Sequence, residues 1–502
     1  MSSSRISARL LWAALVAAAL AGCAVQPRVL TIDERRAAMA ADRQALFREQ
    51  EPVRGAITLE EAMARAVKYN LEHRVRLMEE AVAQRQLDLS RVELLPRLTL
   101  AAGYAGRDTE LAASSRDITT GLQSLAPSTA TDRERVLGDL GLSWNVLDFG
   151  VSYFQARQQA DRALAAQERR RKALHLVMQQ TRQAYWQAAG AQQLEARIEP
   201  VLQQARQALV DARQAESERV RSPLEPLNYQ RQLLDIIRQL EAVRDELQLA
   251  KPRLASAMNL EPGLAFSVVP ADALPVPRVT LRTARMEEVA LLIRPELVES
   301  HYQERIGVLE TRKALARLLP GVEISLGGHY DSNSYLVDNT WWDAGLRVSW
   351  NLLNALNAGR IRGLAQAQLD LARQQRLALG MAVLTQVHVA HLEYLARVRQ
   401  HEMTRELHAV EQRILQHSRN AEQASAQGKL EQIRAAAAAM MSELRLYHSY
   451  GAVQGAYAQV IATLGLDPLP SSVDGHDIKT LTEAVRACER AWTETVDPGG
   501  SS

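Results

Sequence analysis

The chain reads as a mainly helical protein with a separate β part: very long coiled-coil helices in two hairpins, joined to four short two-faced strands. Three observations predict this. The sequence repeats itself: Asn70 to Tyr104 is answered by Arg294 to Gly328, an offset of 294 − 70 = 224, and Leu142-Ser143-Trp144-Asn145 by Val348-Ser349-Trp350-Asn351, an offset of 350 − 144 = 206. Four segments alternate apolar and polar residues with period two. Two helical stretches are far longer than a globular core requires. A repeat of this kind sets the architecture before any single residue does. Length alone, 502 residues, would allow several globular domains; the repeat argues instead for one body built from two similar halves.

Residues 1–22 have the form of an export signal. Arg5 and Arg9 give a positive start, and Leu10 to Leu20 is apolar but too short for a stable bilayer span. The run ends in Leu20-Ala21-Gly22-Cys23, which looks like a bacterial lipobox with Cys23 as the acylated residue. An ordinary secretory signal with a chance cysteine is the other reading. The other cysteine, Cys488, would be a lone thiol without a disulfide. No later stretch holds 18 apolar residues, so any membrane crossing must use strands. Residues 23–57 form an N-terminal tether.

The first repeat spans residues 58–278. It opens with a helix at Thr58-Leu59-Glu60-Glu61, which has the form of a capping box. In the strand at 97–104, Leu98, Leu100, Ala102 and Tyr104 oppose Thr99, Ala101 and Gly103. A polar loop, Ala105 to Leu137, leads to the strand at 139–146, where Leu140, Leu142, Trp144 and Val146 oppose Asp139, Gly141, Ser143 and Asn145. A helix follows from about Val151 to Arg221. Its residues Leu174, Val177, Thr181, Ala184, Ala188, Ala191, Leu194, Ile198, Leu202, Ala205 and Leu209 step by threes and fours, a coiled-coil seam. About 70 residues at ~1.5 Å each reach roughly 100 Å. Pro223 and Pro226 break the run, and Leu227 to Met258 returns.

The second repeat, 279–466, has a helix from Thr283 to Leu318 and strands at 322–330 and 346–352. Here Val322, Ile324, Leu326 and Tyr330 oppose Glu323, Ser325 and His329, while Leu346, Val348, Trp350 and Leu352 oppose Arg347, Ser349 and Asn351. A second long helix, Ile361 to Gln427, carries Met403, Leu407, Val410 and Ile414 at heptad spacing; Gly428 marks the turn before Leu430 to Leu464. Residues 467–502 form a C-terminal tail.

The strands admit two readings. The apolar face of a soluble sheet would cover a core. In a transmembrane barrel the apolar face, including Leu142, Trp144, Val348 and Trp350, would meet lipid and the polar face would line water. Strand length, aromatics near strand ends (Tyr104, Tyr330, Trp341, Trp342) and the long polar loop favour the barrel. Four strands cannot close such a barrel, and open edges are not tolerated in lipid, so copies of the chain must complete it in a ring.

Composition excludes little but points away from some classes. A net charge of +2, with basic and acidic residues interleaved, gives no footprint for nucleic acid. There is no phosphate loop, zinc-spaced cysteine pair or nucleophile elbow, so neither an enzyme nor a cofactor is expected. His388, His391, His401, His408 and His417 read as solvated helix histidines, with a metal site as the alternative.

The repeat, Arg294-Pro295-Glu296-Leu297, the Leu-Pro pairs at Leu95-Pro96 and Leu319-Pro320, the Ser-Trp-Asn strands and Leu147-Asp148-Phe149-Gly150 together resemble the TolC-like outer-membrane efflux proteins over about Thr58 to Leu466. The resemblance implies a homotrimer whose protomers each give four strands to a twelve-stranded barrel above a hollow helical cylinder. It implies a passive export duct of a tripartite efflux or type I secretion system, with a periplasmic adaptor protein, an inner-membrane pump and outer-membrane lipid as partners. Ala24 after Cys23 implies no retention at the inner membrane of the Gram-negative envelope. The hairpin tips, Arg221, Ser222 and Pro223 with Gly428 and Lys429, would dock the adaptor. Glu225, Glu431 and Arg434 would stand at the periplasmic gate; surface helix charges are the alternative. The sequence departs from the family pattern at Leu71, Arg221 and Arg434, and by a three-residue insertion before Gly359 (359 − 150 = 209 against 206). A different class, a periplasmic coiled-coil scaffold or adaptor lipoprotein without a pore, shares the helices but not the use of the strands.

Overall fold

The computed structural model describes residues 27–124, 126–217, 224–269, 274–421, 426–470, 473 and 475–496. They fall into two compact units, one ending at Pro52 and the other beginning at Val53. The first unit holds helix α1 (Ile32–Phe47), started by a complete capping box. Thr31 Oγ1 accepts the Glu34 N–H at 3.2 Å, and Glu34 Oε2 accepts the Thr31 N–H at 2.8 Å. The tether reading gave this segment no element, although Thr31-Ile32-Asp33-Glu34 carried the signal.

In the second unit each short helix expected as one piece is a pair. α2 (Leu59–Tyr69) and α3 (Leu71–Val92) meet at Asn70; α6 (Thr283–Ile293) and α7 (Pro295–Ala316) meet at Arg294. Asn70 (φ −59°, ψ 124°) ends α2 and caps α3, its Oδ1 accepting the N–H groups of Glu72 and His73. At the equivalent position Pro295 forces Arg294 out of the helical region (φ −64°, ψ 129°). Thr58 caps α2 through the Glu61 N–H at 3.2 Å, but the Glu61 carboxylate turns to Arg65 at 2.8 Å, so only half of the expected box is made.

α4 (Val146–Ser217) is about 110 Å long at ~1.5 Å per residue. Asn145 starts it, its Oδ1 accepting the Leu147 and Asp148 N–H groups. The expected seam is the packed one: from Leu174 to Leu209 its members are buried, with Ala184 partly so. The lower part packs on α5 (Leu224–Ala257) through Leu194, Ile198 and Leu202 against Leu233, Leu240 and Val243. Each fully buried leucine there contributes about 1.5–3 kcal/mol. Pro226 does not break the return helix; it lies in the first turn of α5, where no N–H is needed.

In the second repeat a short helix α8 (Leu352–Leu356) absorbs the three-residue insertion before α9 (Ala358–Ala421). α10 (Ala426–Leu464) then returns. Gly428 therefore lies inside α10 and does not mark the turn. Met403, Leu407, Val410 and Ile414 are exposed, Met403 by 73%. The face of α9 turned to α10 instead runs through Tyr394, His401, His408 and Leu415. Two heptad stripes coexist on this helix, and the serines and alanines of α10 seat the histidine stripe. Three of the five histidines are held by partners: His401 bonds Ser449 Oγ and His408 bonds Ser442 Oγ, both at 2.9 Å, and His388 meets Glu287, whereas His417 is exposed as expected. Gly465, at φ +78°, ends α10 in the left-handed region. A Cβ there would lie 2.7 Å from Arg294 Cα.

The last segment is more than a tail. α11 (Ile478–Val496) buries Val485 beside Met63 and Leu254, and Trp492 beside Leu464. Trp492 Nε1 donates to Asp467 O at 2.9 Å. Cys488 is half-buried against the same cluster, and burial raises its thiol pKa.

The strands are β1 (Arg97–Gly106), β4 (Glu134–Asn145), β5 (Gly321–Asp331) and β6 (Thr340–Ser349), with a small pair β2 (Ala112–Ala113) and β3 (Ser128–Thr129) in the first loop. The four form one antiparallel sheet in the order β1-β4-β5-β6. β4 and β6 begin earlier than the sequence suggested, because Glu134-Arg135 is charged and the adjacent Trp341 and Trp342 interrupt the period-two alternation. β6 ends at Ser349, so Trp350 and Leu352 lie past it.

Candidate functional site

Antiparallel register aligns the alternating residues of all four strands. Leu98 pairs with Leu142, Leu142 with Leu326, and Leu326 with Ala344. Trp144 pairs with Ile324, and Val348 with Val322. One face is therefore apolar across the sheet, and it is open: Leu98, Leu100, Leu140, Leu142, Trp144, Ile324, Leu346 and Val348 are exposed, Leu100 by 82%. A continuous apolar face of this kind marks an interaction surface. Trp144 also meets Phe149 edge-on at 5.6 Å. Trp350, just beyond the strand, donates its Nε1–H to Leu318 O at 2.9 Å.

The opposite face is polar. Arg135 and Asp331 pair at 2.9 Å, and Arg347 and Glu323 at 4.0 Å. His329 reaches a carboxylate on each neighbouring strand, Asp139 directly opposite and Asp343 on the diagonal: Nδ1 lies 2.7 Å from Asp139 Oδ1 and Nε2 lies 3.2 Å from Asp343 Oδ2. Trp341 stacks on the imidazole with centroids 5.2 Å apart. Trp341 and Trp342 thus stand on opposite faces, and only Trp342 belongs to the apolar one. Sequence alternation placed His329 among the polar residues; its two carboxylate neighbours come from other strands, and only the register brings them together.

At this end of the sheet the two loops are pinned. Asn333 Nδ2 donates to Ala130 O at 3.0 Å, and the Asp132 N–H donates to Asn333 Oδ1 at 2.9 Å. Ser334 Oγ donates to Asp132 Oδ1 at 3.0 Å. Among the described residues, both edges of the sheet, β1 and β6, are left without a further strand neighbour.

The hairpin ends carry the other candidate residues. Cys23, Arg221, Ser222 and Pro223 lie outside the described residues. Glu225 is in the first turn of α5, and its side chain is outside the description. Glu431 and Arg434, one turn apart on α10, pair at 2.8 Å. The second guanidinium nitrogen of Arg434 donates to Gln232 Oε1 on α5. Lys429 Nζ lies 3.4 Å from Asp211 Oδ2 on α4. The Gln207 amide, and after it Lys429, hold the Asp211 carboxyl below the usual carboxylate range. These contacts strap the second hairpin to the first. Asp211 and Gln232 were invisible in the sequence, since both are unremarkable positions on polar helix faces. Higher up, the straps continue through Arg197 to Glu443 and Tyr447 to Gln193. No group of His, Cys, Asp and Glu able to hold a metal ion occurs among the described residues, and no helix among them is long and apolar enough to cross a membrane.

Solved structures share this arrangement. CmeC, an outer membrane channel of Campylobacter jejuni, superposes with a TM-score of 0.62 at 14% identity, covering 88% of this chain and 93% of its own. CusC, described in terms of transmembrane channel formation, gives 0.62 at 16%, covering 84% and 96%. The open state of the MtrE outer membrane channel of Neisseria gonorrhoeae gives 0.61 at 13%, covering 81% and 88%.

The fold is TolC-like. No family model and no curated protein matches the chain. At such low identity the likeness carries the fold: the TolC-like arrangement of a four-stranded sheet at one end of two long helical hairpins.

Proposed function

We propose that the chain is the subunit of a passive export duct in the outer membrane of a Gram-negative bacterium, serving a tripartite efflux or type I secretion system. The observation that carries this reading is the sheet. It has an exposed apolar face, a polar face and two unpaired edges, and it sits where two long hairpins begin. In water such a sheet would be an aggregation hazard. In lipid its edges must pair, and a ring of copies does this without leaving an open edge. Three copies give twelve strands, the number the family resemblance implies. Unpartnered apolar stripes on α3 (Leu71, Val75, Met78, Val82) and α9 (Met403, Leu407, Val410, Ile414) supply further surface for the same assembly.

On this reading Leu142, Trp144, Val348 and Trp350 face lipid, and acylated Cys23 tethers the N-terminus. The tips around Arg221 and Lys429 dock a periplasmic adaptor, itself coupled to an inner-membrane pump. Glu431 and Arg434 stand at the gate. The Arg434 strap to Gln232 holds the hairpins together while the gate is closed, so Arg434→Ala is expected to raise open probability several-fold. Unchanged gating would remove these residues from that role.

Single-channel recording of the purified full chain in planar bilayers tests the whole proposal. Stable conductance steps support the duct. A non-conducting monomer that stays soluble without detergent would instead support the scaffold alternative.

A further inference from the structure

Among the described residues of the sheet's polar face, one acidic group has no Arg or Lys partner; the exposed Arg97, on the same face of β1, belongs to a different rung of the sheet. Arg135 is matched by Asp331 and Arg347 by Glu323. Between these pairs, Asp139 on β4 lies directly opposite His329 on β5, and Asp343 on β6, opposite Gly327, lies diagonally across from His329. Two carboxylates face one imidazole. The carboxylates are open to water, their side chains 55% and 62% exposed, whereas that of His329 is 26% exposed.

The backbone is fitted to this arrangement. A Cβ on Gly327 would lie 2.5 Å from His329 Nε2 and 2.6 Å from Asp343 Oδ1. Only glycine leaves the imidazole room to reach β6. Trp341 covers the ring from one side at an interplanar angle of 22°. Both ring nitrogens face carboxylate oxygens. The imidazolium has an N–H for each, and the neutral ring has an N–H for only one.

We propose that this Asp139–His329–Asp343 clamp sets the charge preference of the duct, favouring cations near the loop end of the lumen and weakening that preference when His329 carries its proton. The inference rests on the duct reading above. With His329 neutral each subunit presents two uncompensated carboxylates; with His329 charged it presents one. The charged and aromatic groups that face His329 are Asp139 from β4 and Asp343 with Trp341 from β6. The Arg135–Asp331 pair lies further toward the loops and is internally neutral. Wall charges reach about 10 Å into 0.1 M salt and further at lower salt. The effect is therefore largest on small cations and cationic solutes at low ionic strength.

The test is the reversal potential of the reconstituted full chain under a KCl gradient, at about pH 6 and about pH 9, the range spanning histidine titration. The wild type is expected to prefer potassium over chloride, and more so at the higher pH. Asp139→Asn with Asp343→Asn should bring the permeability ratio close to unity at both values. His329→Gln should hold the ratio high and flat across the range. Conducting channels whose reversal potential is the same in all three proteins overturn the clamp and leave the duct standing. A wild type that never conducts overturns the duct, and the clamp falls with it. Because each variant is read only from channels that open, a variant that fails to assemble cannot mimic either result. His329→Gln, the mildest change, then decides alone.

Discussion

Gly190 shows how much a single position decides. It lies on α4 opposite Tyr447 of α10, and a Cβ there would sit 2.5 Å from Tyr447 Cβ and 2.6 Å from its Cγ. Those atoms are the root of the side chain, not a flexible end, so the helices themselves would have to part. Gly190→Ala is expected to destabilise the protein by about 1–3 kcal/mol, as overpacking does. Loss of helical signal in denaturant should show this as a lower midpoint; an unmoved midpoint would mean the two helices are not held this closely. In the sequence Gly190 is a single glycine in a long helical stretch that also holds Pro200. Nothing local could say that it marks the crossing of two hairpins 257 residues apart (447 − 190).

The two hairpins differ as elements. The first is sealed by aliphatic side chains throughout. The second places His401 and His408 one heptad apart, bonded to Ser449 and Ser442, one heptad apart in the opposite direction. His401 is 2% exposed, and burial lowers its pKa below the ordinary histidine value; Arg405 lowers it further and Glu402 opposes. A buried neutral base stabilises the fold only while it stays neutral. Around and just below the ordinary histidine pKa of about 6.5, the unfolded chain takes up the proton first. Stability is therefore full above about pH 7 and falls as pH drops through about 6.5. The melting temperature should fall accordingly on acidification. His401→Gln, which keeps a polar partner for Ser449 without a titrating group, should flatten that fall. An equal fall in the variant would assign the acid sensitivity elsewhere.

For the whole molecule the question is what covers the apolar surfaces. If the sheet faces lipid, brominated lipids should quench Trp144 and Trp350 strongly and leave Trp492, which is buried beside Leu464, largely unaffected. Uniform quenching, or none, would place the sheet elsewhere. The stripe on α3 makes a separate demand. Met78→Lys with Val82→Lys puts two charges on exposed apolar positions. Within one chain this is nearly neutral, but across a subunit contact each unpaired charge costs several kcal/mol. Sedimentation in detergent should then show monomers, where the duct reading expects trimers of the wild type.

The periodic features were legible in the chain before any packing was known. The seam from Leu174 to Leu209, the alternation in four strands and the twofold repeat are local patterns, and each reports how one element buries one face. Their order is what resembled a known fold. Wherever two stripes competed, the choice belonged to the tertiary structure. On α9 the methionine stripe was the more apolar, yet the histidine stripe is packed, because only the small residues of α10 say which one fits. The breaks at Asn70 and Arg294 were read as continuous helix, since one capping residue and one proline weigh little against long helical runs. The pairing of Glu431 and Arg434 lies within one helix turn and so was within reach of spacing. Their links to Gln232 and Asp211, the clamp around His329 and the anchoring of α11 join residues far apart in the chain. Periodicity describes an element and its faces; which element lies opposite is fixed only when all of them pack.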